Sequence, residues 1–285
     1  MSDFSLENTY PKLKTGRICL IDADYVKYIV CSKIYKDIQR NEIEGKVDIF
    51  LKEEPALSYT KEWISDWLMK IDDPIIFCFS GKSYNTFRSY VAFEKEYKGN
   101  RKKDYTEYEG KLKDMTMTMQ YIRDNFISLL FEDLEADDIV SFLQDKENTY
   151  IVSNDKDIKQ IPGYHYNFQT NNIYEITNEQ AIYNLAYQLI IGDTTDNISG
   201  LPKFGEKKAI DFLRELKPSQ YILGVLKLYQ KNYGVFKGTD MFNESWNLIK
   251  LRENRGNEFV KKYKLAFDTK EMLLLELKKQ KLKDS

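Results

Sequence analysis

The chain has 285 residues but one histidine, His165, and three cysteines, Cys19, Cys31 and Cys78. With a single imidazole it has no HExxH zinc site and no histidine relay, and a His-dependent triad could draw only on His165 in "GYHYNF". The cysteines are odd in number, sit in apolar settings ("RICLID", "YIVCSK", "FCFSG") and lack paired spacing, so they read as reduced core thiols. No apolar run is long enough to cross a bilayer, and "MSDFSLENTYPKLKTG" lacks the basic and apolar regions of a signal peptide. A cytoplasmic protein without membrane contact is expected. Internal repeats and low-complexity linkers are also missing. Chemistry here falls to carboxylates, lysines, tyrosines or bound metal.

Charge is abundant and close to balance. The formal net charge of −2 argues against a protein that coats nucleic acid through bulk positive charge. Along the chain the balance is uneven. Basic residues gather in "EKEYKGNRKKDYTEYEGKLK" (94–113) and in the C-terminal "LKKQKLK". Either strip reads as a solvated helix face or as a hold on a phosphate backbone, and "EMLLLELKKQKLK" also fits a plain amphipathic helix.

The apolar runs "RICLID" (17–22), "PIIFCFS" (74–80) and "TYIVSN" (149–154) read as buried strands. Segments of helical period lie between them, at 58–71 and 108–126. Strands alternating with helices imply an α/β fold, a mainly parallel sheet flanked by helices. "HYNFQ" and "NIYEI", joined by "TNN", predict a hairpin. "ITNEQAIYNLAYQLIIGD" predicts a long helix with Thr177 as its cap and Glu179 close behind; beyond it, short helices joined by Gly and Pro turns follow. The expected division is an α/β region over 1–180 and a mainly helical region over 181–285, packed together.

Acids end the apolar elements. "ICLIDAD" delivers Asp22 and Asp24, and "YIVSNDKD" delivers Asp155 and Asp157, where an open parallel sheet builds its sites. Glu135, Asp137 and Asp138 in "LEADDIVSF" open a helix, and "IIGDTTDNISG" places Asp193 and Asp196 after a helix end, where the dipole disfavours them. Any one of these groups reads equally well as a helix cap. Taken together, hard oxygen donors without histidine or cysteine partners suit Mg2+ or Mn2+ in a two-metal site. Such a site hydrolyses phosphate esters.

Two families place aspartates in this way. "LIDADYV" and "GDTTD" resemble motifs of haloacid-dehalogenase-like phosphatases, which would make Asp22 a covalent nucleophile but leave "EADD" and the basic strip without a role. The ordered set "IDAD", "FSGKSYNTFR…EYKGNRK", "LEADDIVSF", "VSNDKDIKQI" and "IGDTTDNISGLPKFGEKKAIDFL" resembles the 5′ nuclease (flap endonuclease) family, most like its phage-type 5′-to-3′ exonucleases and their ribonuclease H relative. It spans Ile18 to about Leu213.

The resemblance implies a catalytic region with a helical arch at about 84–125 and a DNA-binding helix–turn–helix near 197–215. It implies Asp22, Glu135, Asp137, Asp138, Asp155, Asp157, Asp193 and Asp196 as ligands of two or three divalent ions. Arg88, Lys98 and Arg101 match catalytic basic residues at the base of the arch. In "EYKGNRKKDYTEY", Tyr97, Tyr105 and Tyr108 interleave with cations such as Lys102 and Lys103, as stacking platforms for an unpaired 5′ strand would, or are ordinary surface residues of a chain with 21 tyrosines. Ser199, Gly200, Gly205, Lys207 and Lys208 would grip the duplex backbone, with K+ at the turn. The implied activity is cleavage of DNA, or of RNA in RNA–DNA hybrids, from a 5′ end or at a 5′ flap, in replication or repair; with no visible signal of oligomerisation, a monomer is expected.

This sequence departs from the family twice. Ser80 stands where an "FDGK"-like aspartate is usual, which makes a catalytically weakened DNA-binding member a further alternative; Asp24 is the expected substitute ligand, acting through water. Lys203 in "GLPKFG" stands where glycine is common and φ is positive, which bears on the K+ site.

Overall fold

Ile18 to Asp22 form β1 (Ile18–Asp22), buried along its whole length, as an unbroken apolar run covered on both faces should be. The structure, a computed structural model, describes residues 13–43, 54–81, 86–101, 110–153, 155–167, 170 and 172–252. Parallel neighbours flank β1. Leu20 lies opposite Ile76 of β2 (Ile75–Ser80) on one side and opposite Ile151 of β4 (Thr149–Val152) on the other. Outside them lie β3 (Ser128–Phe131), β5 (Gly163–Asn167) and β6 (Asn172–Ile176), in the order β3-β2-β1-β4-β5-β6. Only β6 runs antiparallel, closing the expected hairpin on β5. β3 was not expected: four residues, "SLLF", carry too short a pattern.

Strand alternation sends side chains to two cores. Cys19, Ile21, Phe77, Phe79 and Val152 face α1 (Asp24–Ile43), α2 (Pro55–Lys70) and α4 (Lys111–Asn125). Leu20, Ile76, Cys78 and Ile151 face α5 (Ala136–Leu143). All three cysteines are buried free thiols. α4 corrects the arch expectation at about 84–125. Its Ile122 is fully buried, and Thr118 is within hydrogen-bond distance of Thr60 of α2, so 111–125 belongs to the helical layer over the sheet. The 102–109 part of that expectation lies outside the described residues, as do Lys102, Lys103, Tyr105, Tyr108 and the C-terminal basic strip.

A third core is built by α6 (Asn178–Ile191), α7 (Glu206–Arg214), α8 (Tyr221–Tyr233) and α9 (Val235–Ile249), with Leu189, Leu213, Val225 and Phe242 at its centre. Thr177 caps α6 as expected, and the reciprocal bond comes from Gln180 rather than Glu179: the Gln180 N–H donates to Thr177 Oγ1 at 3.2 Å, and the Thr177 N–H donates to Gln180 Oε1 at 2.8 Å. The expected helix–turn–helix differs in form, because a ribbon of β7 (Gly192–Asp193) and β8 (Ile198–Ser199) stands between α6 and α7. Glycine is required there. Gly192 has φ 73°, and a Cβ on Gly200 would stand 2.2 Å from the Ile191 carbonyl oxygen. No helix among the described residues is long and apolar enough to cross a membrane.

Candidate functional site

The strand order reverses between β1 and β4, the point outside whose carboxyl ends an open parallel sheet builds its sites. Asp22 ends β1 with 7% exposure and accepts the Asp24 N–H and the Ser153 hydroxyl, each at 3.2 Å. Burial, then the charges of Asp24 and Asp155, push its carboxyl up to about 7. After β4 the chain folds tightly: Asp155 donates its N–H to Ser153 Oγ (3.0 Å) and accepts the Asp157 N–H (2.8 Å). Burial, with Asp155 and Asp193 nearby, likewise pushes Asp157 up to about 7, and the Gln188 side-chain amide donates to it.

The other acids arrive on α5 and on the β7–β8 ribbon. Ser80, at the end of β2, accepts the N–H of Ala136, the first residue of α5, at 2.8 Å. Burial and then the Asp138 charge push Asp137 well above the usual carboxylate range. Burial acts the same way on Glu135, but Arg88 and Lys98 outweigh it and hold that carboxyl low. Asp193 is 4% exposed, pairs with Lys156 at 3.0 Å and accepts the Thr195 N–H at 2.8 Å. Asp196 pairs with Arg101, and its Oδ2 lies 3.8 Å from the Lys98 ammonium, which itself pairs with Glu135. Asp137, Asp157, Asp193 and Asp196 line one cleft with Tyr97 and Gln188.

Two sequence expectations are corrected by burial. Tyr97, expected to stack on an unpaired base, is 8% exposed; its hydroxyl lies 2.7 Å from Glu135 and 2.9 Å from Asp196, bridging acids on two elements. Arg88, expected to steer a phosphate, follows α3's first residue (Phe87–Val91) and is 1% exposed. Its guanidinium pairs with Asp138 and Glu135, and its Nε donates to the Leu248 carbonyl at 2.8 Å, because the end of α9 closes over it. Asp138, wholly buried, also accepts the Arg252 N–H at 2.9 Å. Gln160 completes this floor, donating to the Ile249 carbonyl (3.0 Å) and accepting the Leu251 N–H (2.9 Å).

Asp24 accepts the Ser80 N–H at 3.3 Å and pairs with Lys27 at 3.1 Å, so its carboxylate stands beside the serine that departs from the family pattern. Ser199 lies in β8 opposite Gly192, while Gly205 caps α7 in open space, with Lys207 and Lys208 exposed in the first turn. Lys203 adopts φ 63° without being glycine, and its carbonyl accepts the Lys208 ammonium at 2.9 Å. The turn therefore keeps its left-handed residue, and a side-chain cation sits on that residue's carbonyl.

The donor set suits divalent ions. Glu135, Asp137 and Asp138 offer carboxylate oxygens that all lie within 4.8 Å of one another. Burial and then neighbouring charge push Asp22 and Asp157 up to about 7, a condition that a hard dication relieves. Sequence reasoning missed Lys156 and Gln188. Lys156 stands in plain view within "NDKD", and Gln188 is a polar interruption in "NLAYQLII".

No protein-family model matches the chain. It is 28% identical over 198 residues to a 5′-3′ exonuclease of Buchnera aphidicola subsp. Acyrthosiphon pisum, covering 65% of each chain. Over 200 residues it is 26% identical to DNA polymerase I of Borreliella burgdorferi, covering 61% of this chain and 22% of the polymerase. The chain spans about a fifth of the length of the polymerases it matches. Its fold is similar to that of the T5 5′-exonuclease with bound divalent zinc, at a TM-score of 0.60 and 15% identity, covering 92% of this chain and 98% of that one.

Proposed function

We propose that this chain, which belongs to the 5′ nuclease (flap endonuclease) family, is a divalent-metal-dependent nuclease that hydrolyses DNA from a 5′ end or at a 5′ flap. The observation that carries the proposal is one cleft in which Asp157 after β4, Asp137 of α5, and Asp193 and Asp196 of the ribbon and its turn meet, with Lys98 and Arg101 held on Asp196. Asp22, Glu135, Asp137, Asp138, Asp155, Asp157, Asp193 and Asp196 would hold two or three ions, Mg2+ or Mn2+. Bound ions supply an activated water and charge stabilisation for in-line displacement at phosphorus. The zinc bound by the T5 enzyme supports this assignment.

The chain's own side chains do the rest. Lys98 and Arg101, at the rim, pair with the scissile phosphate and neutralise the charge that builds on it. Arg88 and Asp138 hold Glu135 in place from below. Gly205, Lys207 and Lys208 present the N-terminus of α7 to a duplex phosphate. The protein acts as a monomer and also accepts RNA–DNA hybrids.

Ser80 favours a second reading, a weakened member that binds DNA without cutting it, since the site has one carboxylate fewer than the family pattern. A 5′-labelled flap duplex with Mg2+, with and without EDTA, separates the two. EDTA-sensitive product supports the nuclease, intact bound duplex supports the weakened binder, and hydrolysis of small phosphate monoesters with DNA untouched sinks both.

A further inference from the structure

Residues 93–101 carry Lys98 and Arg101, yet their shape is set outside the sheet. The N–H groups of Phe93 and Glu94 both donate to one carboxylate oxygen of Glu244, at 2.6 and 2.8 Å. Glu244 projects from α9, is 6% exposed and makes no ion pair among the described residues. A buried side-chain oxygen is costly unless its hydrogen bonds are made, and here one oxygen accepts two backbone N–H groups.

The same segment is tied again further on. The Asn197 side-chain amide donates to the Glu96 carbonyl at 2.9 Å, the Lys98 N–H donates to the Asp196 carbonyl at 2.9 Å, and the Asn100 amide donates to the Thr194 carbonyl at 2.6 Å. Lys98 and Asn197 stand at φ 58° and 62°. Left-handed backbone at residues other than glycine persists where the surroundings over-determine it, and it clusters at working sites. Every one of these anchors belongs to α9 or to the ribbon turn 194–197.

We infer that Glu244 is a positioning residue: it fixes the backbone that presents Lys98 and Arg101, so the helical region sets where the phosphate-facing cations stand. The inference rests on the nuclease reading. Glu244 touches neither the acids nor substrate; it acts through the 93–94 amides. Gln at this position keeps an oxygen able to accept both N–H groups, whereas Ala leaves them without an acceptor.

The test compares wild type, E244A and E244Q in single-turnover cleavage of a saturating 5′ flap duplex with Mg2+, in duplex binding with EDTA, and in amide hydrogen exchange. E244A is expected to cleave about ten-fold more slowly with binding changed less than about two-fold, and to exchange faster at 93–101, since small displacements of positioned groups cost rate before affinity. E244Q is expected to stay within about two-fold of wild type. Should E244A fail to fold, N197G keeps the left-handed backbone, removes only the amide on Glu96, and carries the same expectation. E244A cleaving at the wild-type rate, unchanged exchange at 93–101, or E244Q as slow as E244A each overturn the inference. A wild type that leaves the flap intact sinks the nuclease reading and this inference with it; a cleaving wild type beside an unaffected E244A sinks this inference alone.

Discussion

The Ser80 hydroxyl accepts the Ala136 N–H at 2.8 Å, so the end of β2 caps the helix that carries Glu135, Asp137 and Asp138. S80A removes an acceptor from a helix N-terminus and is expected to destabilise the protein by about 1 kcal/mol, read as a lower Tm. S80D keeps an acceptor and adds a charge, and is expected to tighten Mn2+ binding in a calorimetric titration. D24N should weaken the same binding. If D24N binds Mn2+ as wild type does, Asp24 serves only its bonds with Lys27 and Ser80.

The crowded acids predict a pH dependence of defined sign. Asp22 and Asp157 have folded-state pKa values raised from 3.8 to about 7. The folded chain therefore binds protons that the unfolded chain has released, and this contribution is fully present below about 4 and lost as pH rises through about 7. In EDTA, Tm should fall across that window. Saturating Mg2+ or Mn2+ should raise Tm, and by more at pH 8 than at pH 6, because fewer protons compete. A Tm indifferent to both ions at pH 8 would remove the metal reading.

His165 works in the opposite direction. Its ring is buried, donates Nε2–H to the Ile161 carbonyl (2.8 Å), and has its pKa lowered from 6.5 to about 4 by burial. The unfolded chain takes up a proton first, so stability is lost as pH falls from 6.5 toward 4, by about 3 kcal/mol when complete. Subtracting the Tm profile of H165Q from that of wild type should isolate this acid limb. Profiles that run parallel would assign the acid sensitivity elsewhere.

Lys98 should separate chemistry from binding. With its ammonium on Glu135 and near Asp196, K98A is expected to slow single-turnover cleavage of a saturating flap about 100-fold. Affinity measured in EDTA should change little. A loss confined to affinity would make Lys98 a binding residue.

The turn before α7 predicts indifference to potassium. Because the Lys208 ammonium sits on the Lys203 carbonyl, duplex affinity should be equal in K+ and Na+ at matched ionic strength. K208M should create a preference for K+ by freeing that carbonyl. A wild type that already prefers K+ would show that the ammonium yields to the ion.

Much of the fold is legible because β1, β2 and β4 are unbroken apolar runs, with Asp22 ending β1 and Asp155 and Asp157 following β4. What stayed hidden depends on long-range contact. Arg88 and Tyr97 stand in a recognisable motif, but their burial follows from α9 and the ribbon closing over them. Glu244 meets Phe93 across 151 residues, and nothing local in "NESW" signals a buried anchor.

The last turn of α9 also decides what can be transplanted. Leu248, Ile249, Leu251 and Arg252 satisfy Arg88, Gln160 and Asp138 directly beneath the cleft. An α/β fragment ending near 180 would expose an arginine, a glutamine and an aspartate that fold only against that peptide. A chimera that borrows the acids without the helices after them therefore starts with its floor missing.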